Sequence, residues 1–235
     1  MPKSNIDNSL VKVFVVGPYY QAYVEDIFIR RSHQYRIVSN ASDADIIVFT
    51  GGDDISPGLY GEKPLPATFP DLSRDAAELK IIKQHLGSKT FVGICRGAQL
   101  LNCIPENGGR MWQNVSGHGG SVHIITDTLT NTTTAVNSIH HQMMIPGESA
   151  LLLAYSSVSG TKERDGETWY RDPTKETAWD KDPEVLWYES TRCLCFQAHP
   201  EFGHSPTTSY FFDLMTDVVL EDIYHETDSI KKGTR

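Results

Sequence analysis

The sequence predicts an α/β fold: a mostly parallel central sheet with helices on both faces, plus a small β-hairpin region. Three observations carry this prediction. In the first half, short runs of β-branched and aromatic residues alternate with segments of helical period, the pattern of strand–crossover–strand units. Two of these runs stop at loops that hold the least ordinary residues of the chain, and parallel sheets bind ligands at the carboxyl ends of their strands. In the second half the pattern changes to short strand candidates divided by turn residues, which suits hairpins at one side of the sheet.

Val11 to Val16 (VKVFVV) is a short apolar run ending at Gly17-Pro18 and reads as a buried strand. Tyr23 to Arg31 reads as a helix and Tyr35 to Val38 as a second strand. Asp45 to Thr50 (DIIVFT) is a strand that stops at Gly51-Gly52, and a loop rich in Gly and Pro follows to Pro70. Arg74 to His85 shows apolar positions at Ala76, Ala77, Leu79, Ile81 and Ile82, with Gly87 just past the end, and reads as an amphipathic helix with a Gly stop. Thr90 to Ile94 is the next strand and Arg96 to Cys103 the helix after it. Met111–Val115, His123–Asp127, Leu151–Ser156 and Glu184–Glu189 are the short strand candidates of the second half. Ser159 to Pro183, polar and charged, predicts an exposed loop. Arg192 to Gln197 is a last buried strand, and Ser205 to Tyr224 is a closing helix whose stripe of Phe211, Leu214, Met215, Val218 and Val219 reads as core. Residues 225–235 read as a disordered tail, and 1–235 as one domain.

The bulk numbers fit that frame. A chain of 235 residues, 39% hydrophobic and 22% charged, has enough apolar material for a proper core. Its net charge of −9 repels phosphate backbones, so no nucleic-acid partner is expected. No apolar run is long enough for a membrane span, and residues 1–8 lack the basic and apolar regions of a signal peptide, which predicts a cytoplasmic protein. Four cysteines are too few for a disulfide scaffold, so free thiols are expected.

Cys95 lies in Gly93-Ile94-Cys95-Arg96-Gly97-Ala98-Gln99, between a strand and a helix. A tight turn there lifts the thiol above the sheet, and the small residues Gly93 and Gly97 let the backbone pack closely. The helix start favours negative charge at the sulfur and offers N–H groups to an oxyanion. Taken alone, the run equally fits a small buried residue. A thiolate needs a base, and the base an orienting group. His199-Pro200-Glu201 follows the last buried strand; in an extended segment, residues two apart point the same way, which puts Glu201 behind His199.

These two runs, with Phe196-Gln197-Ala198 before His199, resemble the two signatures of class I glutamine amidotransferases. More closely, the chain resembles the γ-glutamyl hydrolase branch, peptidase family C26, including γ-glutamyl-γ-aminobutyrate hydrolases. Three further runs match in order: Gly51 to Glu62, Gly108 to Gln113, and Val136 to Gln142; together the motifs span residues 11–203. The resemblance implies a flavodoxin-like class I glutamine amidotransferase fold. It implies a Cys95–His199–Glu201 triad, an oxyanion hole from the backbone N–H groups of Gly52 and Arg96, and substrate contacts from Gln99 and from His140 at the rim. It implies hydrolysis of a small γ-glutamyl or glutamine amide through a thioester on Cys95, with no cofactor. The same chemistry fits a glutaminase subunit that feeds ammonia to a separate synthetase partner, and an inactive binding module is the third reading. Asp53, Asp54, Tyr60 and Glu62 either hold the shape of the Gly51-Gly52 loop or bind the substrate's α-amino group. Ala198 stands where the family usually has a bulky aromatic, which predicts a wider pocket or different helix packing.

Other constellations predict less. His118, His123, His140 and His141 lack the spacing of a metal motif, so no metal site is expected. Cys193 and Cys195 face one side of a strand and read as packing rather than a redox pair. Trp169, Trp179 and Trp187 lie in or near the polar loop, where they cover the site or meet a partner.

Overall fold

The computed structural model describes residues 10–156, 163–168 and 181–224. Its strands are β1 (Val11–Val16), β2 (Tyr35–Ile37), β3 (Ile46–Phe49), β4 (Thr90–Ile94), β5 (Arg110–Trp112), β6 (Gly119–Asp127), β7 (Thr133–Ile139), β8 (Met143–Ile145), β9 (Leu151–Ser156), β10 (Glu163–Arg164), β11 (Glu167–Thr168), β12 (Asp182–Tyr188) and β13 (Cys193–Phe196). Its helices are α1 (Gln21–Ile29), α2 (Leu72–His85), α3 (Arg96–Asn102) and α4 (Ser205–Leu214). Nine strands form one sheet in the order β2-β1-β3-β4-β13-β12-β9-β6-β7. From β2 to β13 every pairing is parallel; from β13 outward every pairing is antiparallel.

The period of two along the central strands builds two cores. Val92, Ile94, Leu194 and Phe196 face one side, with Phe28 of α1 and Phe211 and Leu214 of α4. Phe91, Cys193 and Cys195 face the other, with Ile82 of α2 and Leu100 and Leu101 of α3. β3, β4 and β13 are buried throughout, which is why they read as continuous apolar runs: helices cover both faces of a parallel sheet. α2 begins two residues before its periodic stretch because Asp71 caps it, accepting from the N–H groups of Ser73 and Arg74.

The hairpin strands lie at one side of the sheet and extend it, with β12 laid antiparallel on β13. The second half departs from its expectation in three ways. β7 was invisible as a strand because TTAVNSI is polar; it is the edge strand, and only part of it is buried. β8 pairs with β5 in a separate two-stranded sheet. Within the predicted exposed loop, β10 and β11 form a hairpin turning at Asp165-Gly166, both at positive φ. Arg164 of that hairpin is buried, its guanidinium 2.8 Å from Asp182 Oδ1. Trp187 packs in the core rather than over a site, while Trp169 and Trp179 lie outside the described residues, as does the tail 225–235. The closing helix continues past α4 as a π-helical segment, Met215–Leu220. Among the described residues, no helix is long and apolar enough to cross a membrane.

This order decides where chemistry can happen. β4 lies between β3 and β13, parallel to both, so the loops leaving Phe49, Ile94 and Phe196 emerge side by side.

Candidate active site

Cys95 occupies the turn from β4 into α3 with φ 52° and ψ −108°, a conformation rare for a residue with a Cβ. Such backbone costs on the order of 1–3 kcal/mol and persists only where its surroundings impose it. Here they do. The Cys95 N–H donates to the Phe196 carbonyl at 2.8 Å, and the Cys95 carbonyl accepts from Gln99 N–H at 3.1 Å. A Cβ on Gly93 would lie 2.4 Å from the Ala98 backbone nitrogen, and one on Gly97 would lie 2.2 Å from the Phe49 carbonyl oxygen. Both glycines are what lets α3 lie against the strands at this distance.

His199 follows β13 and is fixed on every side. Its backbone is clamped by Asn137, which donates to the His199 carbonyl at 2.7 Å and accepts from the His199 N–H at 2.8 Å. Phe202 stacks on its ring at 4.5 Å, and Tyr20 meets it edge-on at 6.1 Å. Glu201 Oε1 lies 2.7 Å from His199 Nδ1. Pro200–Phe202 is a short 3₁₀ turn rather than the expected extended segment, so Glu201 comes to the ring by turning back. Burial pulls the imidazole down, but the adjacent Cys95 sulfur and the Glu201 carboxylate outweigh it and raise His199 to about 10. His199 therefore keeps its proton at neutral pH, beside the sulfur.

The loop after β3 closes the third side. Gly52, at φ +138°, leaves no room for a side chain: a Cβ would lie 2.4 Å from Arg74 and 2.8 Å from Tyr19. The Arg74 guanidinium donates to the carbonyls of Gly51 at 3.0 Å and Thr50 at 2.9 Å. Arg74 also pairs with Glu78 at 2.7 Å, and Arg96 hydrogen-bonds both Glu78 and Asp75. All four side chains are buried. One charged network on α2 thus holds the Gly51-Gly52 loop and Arg96, the residue after Cys95, in fixed relation.

Cys95, His199, Gly52, Asp53, Ile139 and the ring of Tyr20 line a cavity of about 330 Å³. A larger cavity, about 410 Å³, lies between Trp112, Met144 and Pro183 and contains none of the reactive candidates. Asp54, Tyr60 and Glu62 serve the loop. Asp54 accepts from Phe69 N–H at 2.9 Å, Glu62 accepts from Gln113 at 3.2 Å, and Tyr60 is buried. Asp53 instead stands exposed at the cavity rim.

Two expected substrate contacts sit elsewhere. The Gln99 amide is buried, 3.4 Å from Gln197 and 3.5 Å from the Gln142 carbonyl. His140 is turned away from the cavity. Its Nδ1 lies 2.8 Å from the Gln142 carbonyl, its ring lies 4.6 Å from that of His118, and burial pulls it down to about 4. The strand alternation presents its neighbour Ile139 to the cavity instead. Ala198 is buried in the core and does not line the cavity. His141 pairs with Asp54 at 3.4 Å, away from the other three histidines. The role of Asn137 has no signal in the sequence, because a backbone clamp leaves no periodic pattern.

The other three thiols are inert by position. Cys103, Cys193 and Cys195 are fully enclosed, and burial pushes each of them up, Cys193 to about 12.

Known proteins resemble the chain in sequence and in fold. The family model described as Peptidase C26 matches residues 27–155. A glutamine amidotransferase-like protein from Lactococcus lactis subsp. lactis is 41% identical over 112 residues, 46% of this chain and 43% of its own; the match thus spans less than half of that relative's length. NtpR from Enterococcus hirae is 33% identical over 192 residues, covering 70% of each chain. Among solved structures, a glutamine amidotransferase from Thermotoga maritima superposes with a TM-score of 0.55 at 14% identity, over 91% of this chain and 85% of that one. At that identity, the likeness speaks for the fold alone.

Proposed function

The chain belongs to the peptidase C26 family of the class I glutamine amidotransferase-like superfamily, and from that premise we propose that it is a cysteine hydrolase of γ-glutamyl amides. One observation carries the reading: Cys95, on a strained turn, meets a His199 that is oriented by Glu201 at 2.7 Å, beside the Gly52 loop and at the wall of a cavity.

The Cys95 sulfur attacks the γ-carbonyl carbon, and the carbonyl π pair moves onto oxygen. The backbone N–H groups of Gly52 and Arg96 receive that oxyanion. As the intermediate collapses, the C–N bond breaks and the His199 proton passes to the leaving nitrogen. The γ-glutamyl thioester stays on Cys95. Water then gives a proton to His199 and adds to the thioester carbonyl; collapse returns the electron pair to sulfur and releases glutamate. Asp53, exposed at the rim, provides a carboxylate for the substrate's α-ammonium. Every step uses groups of this chain, and the reading includes no cofactor.

The test is a panel of γ-glutamyl amides offered to the purified chain, with mass spectrometry of the released amine, alongside Cys95→Ser. Release of an amine larger than ammonia, lost in Cys95→Ser, is the expected result. Turnover of glutamine only in the presence of a second protein would move the assignment to an ammonia-donating subunit. Wild-type turnover by Cys95→Ser would end it.

A further inference from the structure

β7 has two working sides. Asn137 clamps His199 and Ile139 lines the cavity, while Ser138 and His140 face the opposite way. On that opposite side His118, His140 and Glu184, all buried, hold their ligand-type atoms within 4.8 Å of one another. His123 Nε2 lies 2.9 Å from Glu184 Oε1.

This cluster is rich in lone pairs and poor in donors. His140 Nδ1 faces the carbonyl oxygen of Gln142 at 2.8 Å. A carbonyl only accepts, so Nδ1 carries the proton, and Nε2 of the neutral ring keeps its lone pair. That Nε2 is buried and meets no donor. Neither carboxylate oxygen of Glu184 accepts a well-aligned hydrogen bond, though both are buried. An imidazole lone pair and a carboxylate buried together are costly unless a cation is shared between them. The surroundings are those of a ligand set held from behind. Asp182 Oδ2 lies 3.3 Å from His118 Nε2, Arg164 holds Asp182 at 2.8 Å, and the Gln142 carbonyl fixes the tautomer of His140.

We propose that His118, His140 and Glu184, with His123 as the fourth ligand, bind one divalent zinc-like cation. Imidazole and carboxylate donors in fourfold coordination suit zinc, with bonds of about 2.1 Å and ligand atoms about 3.4 Å apart. Closing the present spread takes side-chain shifts on the order of an ångström. Three ligands flank or lie on the β6–β7 hairpin and the fourth is on β12, so the ion staples the edge hairpin, which carries Asn137 and Ile139, to the body of the sheet. This replaces the sequence-based expectation of no metal. No sequence spacing marks the set, because sheet pairing rather than a helix or knuckle assembles it.

The experiment strips the full chain with chelator, reloads it with zinc or with cobalt(II), and measures retained metal after desalting. The expected result is about one equivalent of metal per chain. The cobalt form shows tetrahedral visible bands without a thiolate charge-transfer band, and Cys95→Ser behaves identically. His140→Gln and Glu184→Gln each weaken binding by about 100-fold or more. No retained metal on the wild-type chain overturns the proposal. So does a charge-transfer band that disappears in Cys95→Ser, which would place the ion on the catalytic thiol. Unchanged affinity in both cluster variants overturns it too. If those variants do not fold, the wild-type cobalt spectrum and its indifference to Cys95→Ser decide the matter.

Discussion

Glu201 Oε1 stands 2.7 Å from His199 Nδ1, reached through a 3₁₀ turn that begins at Pro200. The carboxylate fixes which nitrogen of His199 faces Cys95 and helps hold the imidazole protonated up to about 10, against a burial that pulls it down. Glu201→Gln keeps the shape and removes the charge. Its kcat should fall by about 10²–10⁴-fold, the usual contribution of positioned acid–base catalysis, with KM little changed. An unaltered kcat would show that Glu201 does not orient the base.

Cys95 should be the first thiol to react. It lies at the cavity wall, while Cys103, Cys193 and Cys195 are enclosed and raised by burial. Limited iodoacetamide followed by peptide mass spectrometry should find the label on Cys95 before the other three. Equal labelling of all four in the folded protein contradicts this.

Gly51 leaves space that His199 uses. A Cβ there would lie 2.7 Å from His199 Cε1 and 3.5 Å from Cys95 Cβ. Gly51→Ala should push the imidazole off its line to the sulfur, and displacement by about 1 Å costs roughly 10²-fold in rate. The melting temperature should move little, which separates misplacement from unfolding.

Glu78 bridges two buried guanidinium groups, Arg74 and Arg96. Removing one partner of a buried pair leaves uncompensated charge and costs about 3–5 kcal/mol. Glu78→Ala should therefore destabilise the chain by about that amount in urea titration. A loss below about 1 kcal/mol would mean the pair behaves as a surface one.

Asp127 joins the β6–β7 hairpin to α4. It accepts from Tyr210 Oη at 2.7 Å and from the N–H groups of Leu129 and Thr130 at 2.9 and 2.8 Å. Burial raises its carboxyl, but these donors prevail and hold it below the ordinary 3.8. A carboxyl lowered in the folded state adds stability above its unfolded value, and that stability drains away as the pH falls below it. The wild-type advantage over Asp127→Asn should therefore be full at neutral pH and shrink under acid. Parallel acid-unfolding curves for the two proteins would contradict it.

Local chemistry was legible where one short stretch contains its own reason. DIIVFT and RCLCFQ announce covered strands because both of their faces are buried, while VKVFVV buries one face fully and the other in part. Gly93 announces the turn that lifts Cys95, since the atoms that forbid a Cβ there belong to Gly97 and Ala98 of the following helix, whereas Gly97 is required by Phe49 of β3. The β7 edge strand was not legible, because its polar Asn137 and Ser138 are buried while Ile139 is exposed, the reverse of the usual alternation. Nor was the orientation of His140, since the parity of a strand sets which neighbour faces the cavity, and Ile139 took that side. The parallel half of the sheet and the turn that carries Cys95 were readable from the sequence alone. Tertiary structure alone decided how α2 ties Gly51 and Arg96 through Arg74 and Glu78, and how His118, His123, His140 and Glu184 converge. Those contacts join residues far apart along the chain through sheet order and side-chain packing, and no local period records either.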